Sequence, residues 1–273
     1  MKARAITIIL LAIISQTTMA QKVDISGFAR TYEGVNAESG DFSIIQQTLN
    51  LNFEKRGEKV LFKVNPMIYL YNADSLNLNI REAYMDMYFN NFDLRIGKQQ
   101  VVWGKADGVF ITDIVSPLNL SEFLLPDFDE IRTGVIATKI NYFVGSSTIE
   151  AIWIPQFTPT IRPDGGSIWN IQPVFPAPAI FDWSKSTINP SLENSELFLK
   201  WSAMTSNFDF EIMGAYTWDD NPAMHVERQF EIDTTTFPPS PNLTGLIITP
   251  QHHRLSVAGG SFSTEIKGLI FRG

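Results

Sequence analysis

The sequence contains no cysteine, which excludes a disulfide framework, a thiolate metal site and a lipid attached through a thiol. It has only three histidines, His225, His252 and His253, and none falls in an H-x-x-x-H or comparable metal or catalytic spacing. Basic charge is scarce. The 21 Lys and Arg against 29 Asp and Glu leave a net charge of −8, which argues against a nucleic-acid surface. Charged residues make up 18% of the chain, below the roughly one quarter usual in soluble domains. Beyond residue 20 no window approaches the ~18 consecutive apolar residues of a membrane-spanning helix. Apolar residues at i, i+3, i+4 and i+7 are also rare, so a helical fold lacks support.

The first 20 residues form a distinct unit. "MKARAITIILLAIISQTTMA" joins a basic start, an apolar stretch from Ala5 to Ile14 and a polar end at Thr18-Met19-Ala20. This predicts a signal peptide over 1–20, cut after Ala20; an uncleaved anchor helix is the alternative. Export follows, and the mature chain over 21–273 must be stable without disulfide staples.

What recurs along that chain is period two, which sends alternate side chains to opposite faces of a strand. Leu49, Leu51 and Phe53 alternate with Thr48, Asn50, Asn52 and Glu54. Ala83, Met85 and Met87 alternate with Glu82, Tyr84 and Asp86, and Leu197, Leu199 and Trp201 with Glu196, Lys200 and Ser202. Further alternating runs cover 60–71, 92–103 and 208–218, with less regular ones at 23–32, 132–144, 148–156 and 254–262. The total is about ten strands, each near the ~9–11 residues that a tilted strand needs to cross a bilayer. Residues 266–273 begin an eleventh.

The connections alternate as well. Tight turns at 55–59, 90–91, 145–147, 205–207 and near Thr264 interleave with long connections at 33–42, 72–78, 104–131, 157–194 and 219–252. Short turns at one end and long loops at the other are the pattern of outer-membrane barrels. The expected fold is therefore all-β, an antiparallel transmembrane β-barrel whose apolar faces meet lipid and whose polar faces line a wet lumen. Trp103, Trp153, Trp201, Trp218, Phe53 and Phe89 suit interfacial aromatic girdles. A soluble β-sandwich or β-helix is the alternative fold. Bacterial barrels have even strand counts, and the chain stops inside an apparent eleventh strand on "LIFRG". The expectation is a C-terminally truncated piece of a larger, even-numbered barrel; a complete ten-stranded barrel with a short tail is the alternative.

One stretch carries a family resemblance. Gly97-Lys98-Gln99 with Trp103-Gly104 forms a G-[K/R]-Q-x-x-x-W-G strand end. It follows Arg81-Glu82-Ala83-Tyr84 and precedes a loop with Asp113 to Asn119. The run 78–120 resembles the porin-like outer-membrane channel proteins of Gram-negative bacteria. The resemblance implies an outer-membrane channel for small solutes, with a loop after strand five that folds into the barrel and narrows it.

Catalytic chemistry has little to stand on. A nucleophile and base cannot be assembled from these motifs, and no enzyme activity, catalytic residue, metal site or cofactor is expected. "WDDNP" (218–222) and "PDGG" (163–166) read as turns. The Pro-rich 171–183 reads as a packed outer loop. What remains is a lumen, with opposed charges that set its electrostatic barrier. Glu82, Asp86, Glu150 and Glu196 face inward by parity against Lys63, Arg95, Lys139, Lys200 and Arg254. Loop 104–131 carries Asp107, Asp113, Glu122, Asp127, Asp129 and Glu130 against Lys105. Folded inward it would make an acidic constriction favouring cations or neutral solutes; folded outward, its acids would simply face water.

The expected function is passive diffusion of small hydrophilic or neutral solutes across the outer membrane. Membrane lipid is the expected partner and a homo-oligomer is compatible with the pattern. The alternative is a secreted or surface β-protein that binds carbohydrate through loop aromatics such as Trp169, Phe175, Phe181 and Trp183. One irregularity stands out. Strict alternation through 92–103 puts Lys98 and Gln100 on the apolar face, where a midplane charge costs ~2–4 kcal/mol. A β-bulge at Gly97 would return Lys98 and Gln100 to the lumen beside Arg95 and aim Val101 and Trp103 at lipid.

Overall fold

In the computed structural model, residues 22–273 are described apart from 72–74, 104–111, 123–129, 164, 166, 172, 206–207, 236 and 267–268. The expected signal peptide therefore lies outside the described residues. The chain is all-β. Eleven strands form one sheet: β1 (Asp24–Val35), β2 (Phe42–Arg56), β3 (Val60–Tyr71), β4 (Ser75–Tyr88), β5 (Phe92–Gln99), β6 (Val135–Val144), β7 (Ser147–Ile154), β9 (Glu196–Met204), β10 (Phe208–Trp218), β13 (Arg254–Ile266) and β14 (Leu269–Arg272). Each pairs antiparallel with the next along this order. Among the described residues β1 and β14 stand at the two ends of the sheet, which is not closed.

Most of the expected strands are present, but the long connection expected over 72–78 is not, because β4 already begins at Ser75, and three strands within the other long connections were missed. The connection read over 219–252 contains a hairpin of β11 (Ala223–Asp233) and β12 (Ser240–Gln251). β12 also pairs parallel with the short β8 (Ala179–Phe181), making a separate three-stranded sheet above the long-loop end. Residues 223–233 do alternate, Met224, Val226, Phe230 and Ile232 against His225, Glu227, Gln229 and Glu231, but Arg228 interrupts the apolar face and all but the last residue of the strand is exposed, so the run was read as part of a long connection.

Burial along the main sheet is the reverse of a soluble protein's. On one face lie Gln46, Thr48, Asn50, Asn65, Glu82, Asp86, Gln99, Glu150, Glu196 and Glu211, all buried. On the other lie Leu49, Phe62, Leu78, Ile96, Ile136, Ile149, Trp153, Leu199 and Ile212, all exposed. Leu78 is 68% and Leu199 55% exposed, whereas Gln46 is 1% and Gln99 0% exposed. The register brings inner-face polar residues of neighbouring strands together: Thr48 lies opposite Arg30 and Tyr69, and Asp86 opposite Arg95, which lies opposite Lys139. The polar face is the inner one. Among the described residues no helix is long and apolar enough to cross a membrane, which says nothing of crossing with strands.

The parity switch sits one strand away from where the sequence placed it. Register through Asp93 to Lys98 is unbroken against both β4 and β6, so Gly97 is not a bulge. The shift lies between β3 and β4, where Asn65 pairs with Glu82 but Pro66 pairs with Ile80. Arg81 is the extra residue, and Pro66, which has no N–H to donate, marks the break in the ladder. Leu76, Leu78 and Ile80 thus share the outer face with Ala83 and Met85 despite their opposite parity. Gly97 serves close approach instead. Its φ is +130°, and a Cβ there would overlap the Ala83 carbonyl and come within 2.8 Å of the Tyr84 Cα.

Candidate lumen and constriction

The inner wall pairs opposite charges across most neighbouring strands, although Arg95 on β5 lies beside Lys139 on β6. Lys63 on β3 meets Glu82 on β4 at 2.7 Å. Arg95 on β5 grips Asp86 through two hydrogen bonds of 2.6 and 2.8 Å, with its guanidinium 4.0 Å from the centre of the Tyr84 ring. Glu150 on β7 is shared by Lys139 on β6 at 3.7 Å and Lys200 on β9 at 3.6 Å. Strand pleat is the cause: inward positions on adjacent strands lie side by side, so opposite charges on them meet. Of the residues expected at the pore, Glu82, Asp86, Arg95 and Lys139 therefore lie together on the inner wall.

Lys98 does not. With unbroken register it lies opposite Ala83 and Ile136, on the face of the exposed Ile96 and Ile136. Arg254, also expected inward, pairs with Trp218 and packs its guanidinium 4.7 Å from the Tyr216 ring and 4.2 Å from the Trp218 ring. It donates to the carbonyls of Ser195 and Glu193, holding its charge at the strand end among aromatic rings.

β5 ends at Gln99, not at Trp103, and the chain then leaves the wall. Gln100 N donates to Glu82 Oε1 at 3.1 Å, and its side-chain amide donates to the Arg132 carbonyl. Gln100 and Val102 border a polar inner cavity of about 330 Å³, with Asn50, Lys63, Asn65, Glu82 and Arg132. Val101 and Trp103, expected toward lipid, face the opposite way and are buried. They pack with Val115, Val135, Ala137, Ile152, Ile154, Phe198 and Met213, and the Trp103 indole donates to Glu150. One half of the interior is thus polar around the cavity and the other apolar around Trp103. The apolar half lies on β6, β7, β9 and β10, where Val135, Ala137, Ile152, Ile154, Phe198 and Met213 interrupt the polar inner parity. That interruption was the available sequence sign that something packs inside.

What packs there is the segment after β5. Asp113 takes hydrogen bonds from Trp103 N at 3.0 Å and from Arg132 Nε at 2.6 Å. Ser116 Oγ accepts from Val101 N at 2.8 Å, and Val115 is 3% exposed within the apolar cluster. Leu118 bridges to Arg132, and Asn119 pairs with Ile161 beyond β7. Glu130 receives two hydrogen bonds, 3.0 and 2.6 Å, from Arg30 on the inner face of β1. The segment therefore crosses the concave side from β1 to beyond β7. Asp107, Asp127 and Asp129 lie outside the described residues. Asp113 and Glu130 are each matched by an arginine, Arg132 and Arg30, so the described carboxylates do not form an unopposed acidic ring. Sequence reasoning missed both partners: Arg132 lies one residue past the acidic loop, and Arg30 is a hundred residues upstream of Glu130.

Above the wall, the loop aromatics pack on one another. Phe181 lies 6.0 Å from Phe175 and 6.1 Å from Trp183, ring centre to ring centre. At the end of β10, Asp219 and Asn221 form an Asx turn. The Asp220 carboxyl is pushed up to about 8 by burial first, and then by the negative charges of Glu196 and Asp219.

No curated protein matches the chain. Among solved structures it is similar to Pseudomonas aeruginosa OccK2 (OpdF), crystallised in complex with glucuronate, at 11% identity and a TM-score of 0.40. That match covers 89% of this chain and 61% of the other, so the chain spans less than two thirds of that protein's length. Two engineered variants of the Rh. blastica porin match at 10% and 9% identity, each with a TM-score of 0.34 over 92% of this chain and 82% of theirs. A family profile covers residues 16–273, and the chain belongs to that family, described as protein of unknown function DUF1302.

Proposed function

We propose that the chain forms the wall of an outer-membrane β-barrel channel through which small hydrophilic solutes diffuse passively, after export on a cleaved signal peptide. The observation that carries this reading is the inverted burial of the sheet. An apolar outer face extending over eleven strands far exceeds the few hundred Å² that soluble monomers expose, and lipid is the solvent that suits it. The inner face supports a wet path: paired charges, amides and a polar cavity give solutes hydrogen bonds without a deep trap.

In this reading the segment 112–122 with 130–134 narrows the channel, and the charges at the narrowing are mixed. Arg30 and Arg132 stand against Glu130 and Asp113, while Arg95, Lys139, Glu82 and Asp86 line the wall nearby. Among the described residues these charges offset one another, so neutral, hydroxyl-rich solutes meet no net barrier from them. The reading needs no covalent step, cofactor or resident metal. Conductance of the purified protein in planar bilayers is the test. Discrete, ohmic steps with weak ion selectivity support it, and a protein that inserts but never conducts overturns it.

A further inference from the structure

Outside the lumen, two of the three histidines meet. His225 on β11 and His253 just before β13 share a hydrogen bond between their Nε2 atoms, 2.9 Å apart, whose proton a metal ion binding both rings would displace; the ring centres lie 5.2 Å apart with planes at 64°. We propose that this pair is a bis-imidazole site on the long-loop side for a divalent transition-metal ion, of the copper and nickel kind. The inference stands apart from the channel reading, because none of the lumen residues takes part.

Geometry selects the ion. At a metal–nitrogen distance of about 2.05 Å, nitrogens 2.9 Å apart subtend roughly 90° at the metal. That is the angle between adjacent ligands of a tetragonal or octahedral ion, whereas a tetrahedral zinc ion would spread them to about 3.3 Å. Imidazole nitrogen suits such ions, and copper is the tightest-bound member of the divalent series.

One ligand is also held ready. The His253 carbonyl accepts from Asp219 N at 2.8 Å, and the neighbouring His252 is buried. Its Nδ1 donates to the Asp219 carbonyl at 2.5 Å and its ring lies 4.8 Å from Phe157. His225 is carried on the β11–β12 hairpin, whose register sets it opposite Thr249. Binding would therefore tie the outer hairpin to the start of a wall strand. Among the described residues no group of three or more His, Cys, Asp or Glu is placed to hold a metal, so the remaining positions fall to water. Water-filled positions leave the ion open to an anionic or amine-bearing solute.

The experiment titrates the purified full chain in detergent with Cu²⁺ and reads its electron paramagnetic resonance spectrum. The expected result is one tight equivalent whose signal carries superhyperfine splitting from two nitrogens. His225 is exposed and His253 half-buried, and far-UV circular dichroism checks that His225→Gln and His253→Gln keep the fold. Each should weaken binding by more than the roughly 10–100-fold that losing an outer-shell partner of a metal site costs. An all-oxygen spectrum, or equal binding by wild type and the double Gln variant, overturns the proposal.

Discussion

Removing the Asp113 carboxylate tests whether the segment after β5 is clamped to the inner wall. Asp113 and Arg132 side chains are 4% and 10% exposed, and the carboxylate also accepts from Trp103 N. Breaking a buried pair by truncating one partner costs about 3–5 kcal/mol. Arg132 keeps other interactions, so the lower end applies, about 3 kcal/mol. If the loss falls on the docked segment, its docked-to-released ratio drops roughly 150-fold. Asp113→Ala should then add a larger, noisier conductance level in planar bilayers and lower the unfolding midpoint in detergent. Asp113→Asn keeps an acceptor for Trp103 N and should fall between. Asp113→Ala combined with Arg132→Met removes both charges and should recover part of the stability, giving a non-additive cycle. Conductance and midpoint both unchanged in Asp113→Ala would refute the clamp.

Three further outcomes follow from the wall. Gly97→Ala should destabilise by at least about 1–3 kcal/mol, because φ +130° strains any residue with a Cβ and the Tyr84 backbone leaves no room; a wild-type unfolding midpoint would count against this. Leu199→Lys puts a charge on the outer face, where it should cost about 2–4 kcal/mol and reduce folding into lipid vesicles. In a soluble sheet the same exposed substitution would change stability by no more than about 0.5 kcal/mol, so the vesicle-folding yield separates the two folds. Burial, with the charges of Glu196 and Asp219, pushes the Asp220 carboxyl up to about 8, well above the ordinary carboxylate range, so the folded state binds its proton more tightly than the unfolded one. Its contribution to stability is full below the unfolded value and lost as pH rises through the folded one. Midpoints measured from pH 5 to pH 9 should therefore fall with rising pH, and Asp220→Asn should flatten that slope. A variant with the wild-type slope would dismiss Asp220 as the cause.

Period two was enough, without coordinates, for the all-β class, most wall strands, and the inward placement of Glu82, Asp86, Arg95 and Lys139. Alternation is local, and a strand with one wet face and one apolar face declares both in its own residues. The short-turn and long-loop rhythm was equally local, except at 72–78, where β4 begins at Ser75 and no long connection separates it from β3. What only the tertiary structure decided depends on neighbours distant in sequence. Gly97 is compatible with a bulge on its own strand, yet the shift fell at Arg81, because Pro66 on the facing strand breaks the ladder there. Val101 and Trp103 continue an apolar pattern that suits lipid equally well. Their inward turn is set by Val115, Phe198 and Glu150, which supply an apolar bed and a hydrogen-bond acceptor on the concave side. The balance of charge at the narrowing followed the same logic: Arg30 meets Glu130 across a hundred residues, a pairing created by sheet curvature and loop docking that no local pattern encodes.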